Sequence, residues 1–271
     1  MKQFVFLSLF SLLILFSSCK KEKPEEEQDP DTEEICKLPE NFHNDYIERG
    51  YTWDEHYIYE GRNIVRGEYL YRSTGGFEIH LHTEYFYANP EKGLLSRRDF
   101  YQESVLNSYR LYTYIGEKLI RIEQLDGRSD TLEIRYLFDY NQAGKMVRMR
   151  EINRFYNMDN TYIYTYDNDD VVNIKKYRTS DLNTLRVEYD YSYSDHIISD
   201  TYINTKSWPL TNKHTLVYKR KKIYSGGQVT QTYEYRYNMQ YDDDGFPIHI
   251  LEQKDGYGLI YEGTISYKNC D

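Results

Sequence analysis

Very little in this 271-residue chain resembles catalytic machinery. It contains no nucleophile elbow, no phosphate-cradling glycine loop and no strong metal-ligand spacing, so the expectation is a protein that is not an enzyme and needs no cofactor. Carboxylates are plentiful, 44 Asp and Glu, but they alternate with other residues as one face of a sheet would require. Basic residues are the scarcer sign. No basic cluster is longer than "KRKK", Lys219 to Lys222, which reads as a solvated hairpin turn. A chain of formal net charge −10 with so little clustered positive charge is a poor nucleic-acid binder. Cysteine is nearly absent, three in all. No helical period persists beyond the N-terminus, and the one long apolar run, Phe4 to Phe16, is too short to cross a bilayer as a helix.

That run has another use. A single lysine ahead of it and small residues behind it form the layout of a secretory signal over residues 1–18. Ser17-Ser18-Cys19 resembles a bacterial lipobox, with Phe16 where leucine is usual. The resemblance implies acylation at Cys19, and hence the membrane as a partner reached through a lipid anchor. Lys20 to Glu34 holds eight acidic residues, three lysines and no large apolar side chain. Such a segment buries too little to offset its ordering entropy, which makes residues 19–35 an expected disordered tether. An acidic run close behind a lipidated cysteine also resembles the surface-export signal of Bacteroidota lipoproteins. The expected address is the outer membrane, on the cell surface or the periplasmic face. Cys36 and Cys270 flank the remaining domain, residues 36–271. In an oxidising envelope they are expected to join, the alternative being two unpaired residues at frayed ends.

What the chain does have is tyrosine, 32 residues of it. Tyr-x-Tyr, a turn, then an apolar pair recurs as "YIYEGRNIV", "YFYANPEKGLL", "YTYIGEKLI", "YTYDNDDVV" and "YSYSDHII". Weaker copies are "FDYNQAGKMV", "LVYKRKKIY" and "MQYDDDGFPI". The second aromatic falls at 59, 87, 114, 140, 166, 193, 218 and 241, a spacing too even for accident. Between turns the period is two, as in Leu185, Val187, Tyr189, Tyr191 and Tyr193 with polar residues between them. One apolar and one charged face describes half-buried antiparallel strands. Eight hairpins predict an all-β, up-and-down antiparallel meander of about 16 strands. With no helices to cover its apolar face, the sheet must curl into a barrel or flattened barrel. The repeats resemble YD-type tyrosine repeats. Together with the lipobox and tether, the chain resembles Bacteroidota outer-membrane lipoproteins that carry a domain of unknown function with a porin-like fold. That resemblance implies the barrel and no catalytic residue.

A curl of this size is too wide for aliphatic side chains to fill, and tyrosine combines a long apolar ring with a hydroxyl that tolerates water. Aromatic-lined concavities with a few polar groups are the usual form of small-ligand sites. The function read from the sequence is therefore non-catalytic binding of a glycan or an apolar ligand. Tyr189, Tyr191, Tyr193, Tyr233, Tyr235 and Tyr237 are the candidates, because their alternation is the cleanest. The competing reading is a structural or protein-interaction module in which these rings only fill a core. His80, His82 and Glu84 alternate within "EIHLHTEYFY", a set able to ligate zinc but equally a solvated polar row.

Overall fold

The computed structural model describes residues 37–197, 212 and 214–270. Residues 1–36, and with them the signal, Cys19, the tether and Cys36, lie outside the described residues. Sixteen strands follow one another: β1 (Lys37–Tyr46), β2 (Tyr51–Glu60), β3 (Asn63–Ser73), β4 (Glu78–Asn89), β5 (Leu94–Gln102) and β6 (Val105–Ile115) come first. Then come β7 (Lys118–Asp126), β8 (Leu132–Tyr140), β9 (Met146–Asn153), β10 (Met158–Asp167) and β11 (Asp170–Arg178). The last five are β12 (Asp181–Ile197), β13 (His214–Ser225), β14 (Gln228–Tyr241), β15 (Pro247–Lys254) and β16 (Gly258–Asn269). Each pairs antiparallel with its sequence neighbours, and β1 pairs with β16, so the sheet is a closed barrel. Closure removes both edges, which an exposed meander of this length would otherwise leave as templates for aggregation. The last described pair, Lys37 with Asn269, puts both ends of the barrel chain at one rim.

The tyrosine period has a physical cause. Across each hairpin, the second tyrosine of Tyr-x-Tyr faces a residue at a β-bulge: Tyr59 faces Ile64, Tyr87 Leu95, Tyr114 Leu119, Tyr140 Met146 and Tyr166 Val171. A bulge disrupts the local ladder and leaves backbone groups in need of partners. The tyrosine of the following repeat supplies a donor. Tyr87 Oη–H donates to the Ile64 carbonyl at 2.9 Å, Tyr140 to Leu119 at 2.6 Å, Tyr166 to Met146 at 2.8 Å and Tyr193 to Val171 at 2.7 Å. Tyr114 does the same to Leu95. The chain of links closes on itself: Tyr267 donates to Pro247 at 2.8 Å, and Tyr59 donates to Pro39, which pairs with Tyr267. One link differs, with Tyr241 bonded to Thr215 Oγ1 at 2.7 Å instead of a carbonyl. A belt of eight tyrosines thus runs round the inside of the barrel.

Two expectations are corrected here. Tyr218 is not a member of the tyrosine series. It pairs with Ser192 and Arg236 on the outer face of β13, and Tyr267 is the final member. "KRKK" is not a hairpin turn either. It lies in mid-β13, so Lys219 and Lys221 face inward with Tyr191 and Tyr189, while Arg220 and Lys222 face out.

Apolar packing fills one side of the interior. Ile64, Tyr85, Leu95, Ile122, Tyr136 and Met149 belong to one buried cluster reaching from β3 to β11; Phe42, Phe246, Ile250, Tyr261 and Ile265 form a second beside the β1–β16 seam. In that seam Gly263 makes room for a ring. A Cβ there would collide with the hydroxyl of Tyr261, which donates to Asn44 Oδ1 at 2.6 Å. The outer wall is charged, with ion pairs such as Arg150–Asp159 at 2.6 Å, Arg135–Glu123 at 2.6 Å and Arg236–Asp255 at 2.5 Å.

Candidate functional site

All six candidate tyrosines lie on the inner face of β12 and β14. They stand in rows fixed by register. Tyr191 pairs with Lys219, Lys219 with Tyr235, and Tyr235 with Lys254. One step along, Tyr189 pairs with Lys221 and Lys221 with Tyr233. The wall is thus a lattice of alternating phenol rings and ammonium groups.

All six rings on this wall are half-buried, as are the belt tyrosines Tyr59, Tyr87, Tyr114, Tyr140 and Tyr166, whereas Tyr136 and Tyr164 keep only 1 % and 6 % of their surface. β15 ends at Lys254, opposite Tyr235, so residues 228–234 of β14 pair with β13 alone and project as a lip. That lip stands at the rim opposite Lys37 and Asn269. Tyr233 stands on the lip's inner face, and Tyr235, the last residue of β14 level with β15, stands just below it.

The lysines sit against ring faces. Lys219 Nζ is 4.1 Å from the Tyr235 ring centre and 5.4 Å from that of Tyr237. Lys254 Nζ lies 5.2 Å from Tyr233 and 3.7 Å from Tyr257. Lys176, on β11, lies 5.1 Å from Tyr162, and Lys221 5.9 Å from Tyr189. Cation–π contact favours each arrangement, more so where water is scarce. Acidic partners are fewer than cations. Glu252 Oε1 accepts from Tyr237 at 2.9 Å and lies 3.3 Å from Lys219, and Glu48 pairs with Lys254 at 3.0 Å. Lys176 and Lys221 have no ion-pair partner among the described residues.

Burial pushes Lys176, Lys219 and Lys221 below the ordinary lysine value. For Lys221, repulsion from Lys219, Lys176 and Lys254 lowers it further; for Lys219, the nearby Glu252 works the other way. Burial likewise holds Tyr191 and Tyr237 well above the usual phenol range. The outer face of the same strand is compensated. Arg220 pairs with Asp190 at 2.8 Å, and Lys222 with Asp190 and Glu188 at 3.1 and 3.2 Å.

The six tyrosines divide. Tyr193 belongs to the belt through its bond to Val171, so it holds the wall in place. Tyr189 and Tyr191 stack at 6.3 Å with 17° between planes. Sequence reasoning missed the four lysines. The available signal was the strict alternation of Lys219 and Lys221 with Arg220 and Lys222 between two tyrosine strands, hidden by reading "KRKK" as a turn.

His80, His82 and Glu84 share the outward face of β4, opposite Leu70, Glu68 and Arg66. His80 bonds Glu78 at 2.8 Å and His82 stacks on Tyr101 at 4.5 Å, and no group of three or more His, Cys, Asp or Glu among the described residues is placed to hold a metal ion. A hollow of about 770 Å³ lies over β16, β1, β2, β3 and β4, its lining including His43, His56, His80 and His82. Cys270 is disulfide-bonded.

No protein-family model matches the chain, and no curated protein matches it. Among solved structures it is similar to a porin-like protein from Bacteroides uniformis, at 14 % identity and a TM-score of 0.55, covering 87 % of this chain and 97 % of that one. It also aligns with a porin-like protein from Bacteroides vulgatus at 11 % identity and a TM-score of 0.42, over 85 % and 98 % of the two chains. The chain therefore shares the barrel fold of a porin-like protein.

Proposed function

We propose that this protein is a non-catalytic binding module of the cell envelope that holds a glycan or an apolar ligand against the inner wall of β12 to β14. The observation that carries the reading is a row of six half-buried inward tyrosines interleaved with lysines on β12 to β14, one of them, Tyr233, on the lip that extends past β15. Flat rings stack on the apolar faces of sugars, and phenol hydroxyls bond to sugar oxygens. The charged outer wall suits water better than lipid tails, since exposed charge at mid-bilayer is costly. Membrane attachment is accordingly assigned to a lipid on Cys19, at the outer membrane. The barrel chain begins at Lys37, on the rim opposite the lip, so a tether there leaves the lip turned away from the anchor.

The test is a glycan and lipid array probed with the chain lacking residues 1–18 and carrying Cys19→Ser. Tyr235→Ala and Tyr189→Ala then follow at the hits. Retained melting temperature with lost binding supports the reading. If nothing binds and the substitutions only lower the melting temperature, the tyrosines are core. The second reading, a structural or protein-interaction module, is favoured by the belt, where tyrosine hydroxyls bond backbone carbonyls at the bulges.

A further inference from the structure

We propose that the ligand of this wall is an anionic glycan, a sugar chain bearing carboxylate or sulfate groups, with Lys176, Lys219, Lys221 and Lys254 supplying the counter-charge. The proposal rests on the binding reading above and narrows it.

Three observations converge. First, a chain of net charge −10 places four lysines on one inner wall, and only two of them are ion-paired among the described residues, Lys219 with Glu252 and Lys254 with Glu48; Glu151, bonded to Tyr162, lies near Lys176 without pairing with it. Second, the imbalance is confined to the inside. On β13 the outward Arg220 and Lys222 each have acidic partners, whereas inward Lys221 has none among the described residues and faces three other lysines. Gathering like charges in a half-dry space works against folding, and a bound anion is what would offset it. Third, the cations are not bunched as they would be for a lone phosphate. Register interleaves them with rings across the strands, Lys219, Tyr235, Lys254 along one row and Tyr189, Lys221, Tyr233 along the next, while Lys219 and Lys221 stand two residues apart along β13. Ammonium and ring alternate as acid group and ring face alternate along an acidic oligosaccharide. A purely apolar ligand leaves the lysines unused, and a neutral glycan leaves Lys221 without a counter-ion.

The probes are matched pairs with the same sugar rings: oligogalacturonate against its methyl ester, and a sulfated glucosaminoglycan fragment against its desulfated form. Titration calorimetry on the Cys19→Ser chain is expected to show at least tenfold tighter binding of one acidic member over its neutral partner. That preference should weaken with added salt. Lys221→Gln and Lys176→Gln should each cut the acidic affinity several-fold and leave any neutral binding unchanged. Lys221→Gln should also melt no lower than the parent, because it removes a repelled charge. Equal affinity for both members of each pair overturns the anionic assignment and leaves the binding reading standing. Binding of a fatty acid or inorganic sulfate as tight as the acidic glycan overturns the sugar assignment. If neither glycans nor lipids bind, both readings fall.

Discussion

Tyr140→Phe removes one hydroxyl from the belt and nothing else. In the folded protein that hydroxyl donates to the Leu119 carbonyl at 2.6 Å from a half-buried ring, and Leu119 sits at a bulge opposite Tyr114. One neutral hydrogen bond contributes about 1 kcal/mol net, and an acceptor left dry without its donor raises the loss to about 2 kcal/mol. In a domain of this size, about 1 kcal/mol lowers the melting temperature by roughly 2–4 °C. The control is Tyr257→Phe. Tyr257 is 62 % exposed and its ring lies 3.7 Å from the Lys254 ammonium, so its hydroxyl should matter by less than about 0.5 kcal/mol. Thermal and urea unfolding of the Cys19→Ser chain, followed by circular dichroism, measures both. Tyr166→Phe tests the next link, since Met146 pairs with Tyr140 and its carbonyl accepts from Tyr166. Links joined through the Tyr140–Met146 pair should couple, so the double variant should depart from the sum of the singles by about 0.5 kcal/mol or more. If Tyr140→Phe and Tyr257→Phe melt alike, the hydroxyls do not hold the barrel and the account of the tyrosine period is wrong.

Gly263→Ala should destabilise by about 1–3 kcal/mol, because the added methyl displaces the Tyr261 ring and its bond to Asn44; chemical denaturation reads the loss, and an unchanged midpoint would refute the fit. Burial pushes the phenols of Tyr136 and Tyr166 up to about 12, so stability from these neutral phenols is fully present below about pH 10 and is lost as pH rises towards 12. Tyrosinate absorbance should therefore lag behind that of the urea-unfolded chain between pH 10 and 12; coincident titrations would contradict the burial. For the disulfide at Cys270, the Lys37–Asn269 pair makes Cys36 the expected partner, and non-reducing peptide mapping should recover a Cys36–Cys270 cross-link. Closing a loop of about 230 residues stabilises by about 5 kcal/mol in the chain-entropy account, so Cys270→Ser should melt well below the parent.

By itself the sequence determined the class of fold. A period of two with turn chemistry every dozen or so residues leaves no other reading, and with no helix to cover the apolar face the sheet had to curl. The even recurrence at 59, 87, 114, 140, 166 and 193 also gave the hairpin count, because each bulge needs one phenol donor and the bulge recurs once per hairpin. The copy at 218 was misplaced because composition cannot show phase: Tyr218 keeps the spacing but faces outward, and Tyr267 takes its place in the belt. Closure through β1 was not legible either, since "KLPENFHNDY" lacks the repeat and is held by pairing with β16, far away in the chain. The candidate tyrosines could be named from alternation, but whether an inward ring is core or surface depends on what stands across from it. Tyr136 and Tyr189 have the same local pattern. One is buried in the apolar cluster, and the other is half-buried beside Lys221 and Tyr191. The same holds for "KRKK": four basic residues in a row describe a turn or a strand equally well. Only the pairing of β13 between β12 and β14 turns two of them inward, without acids enough to match them.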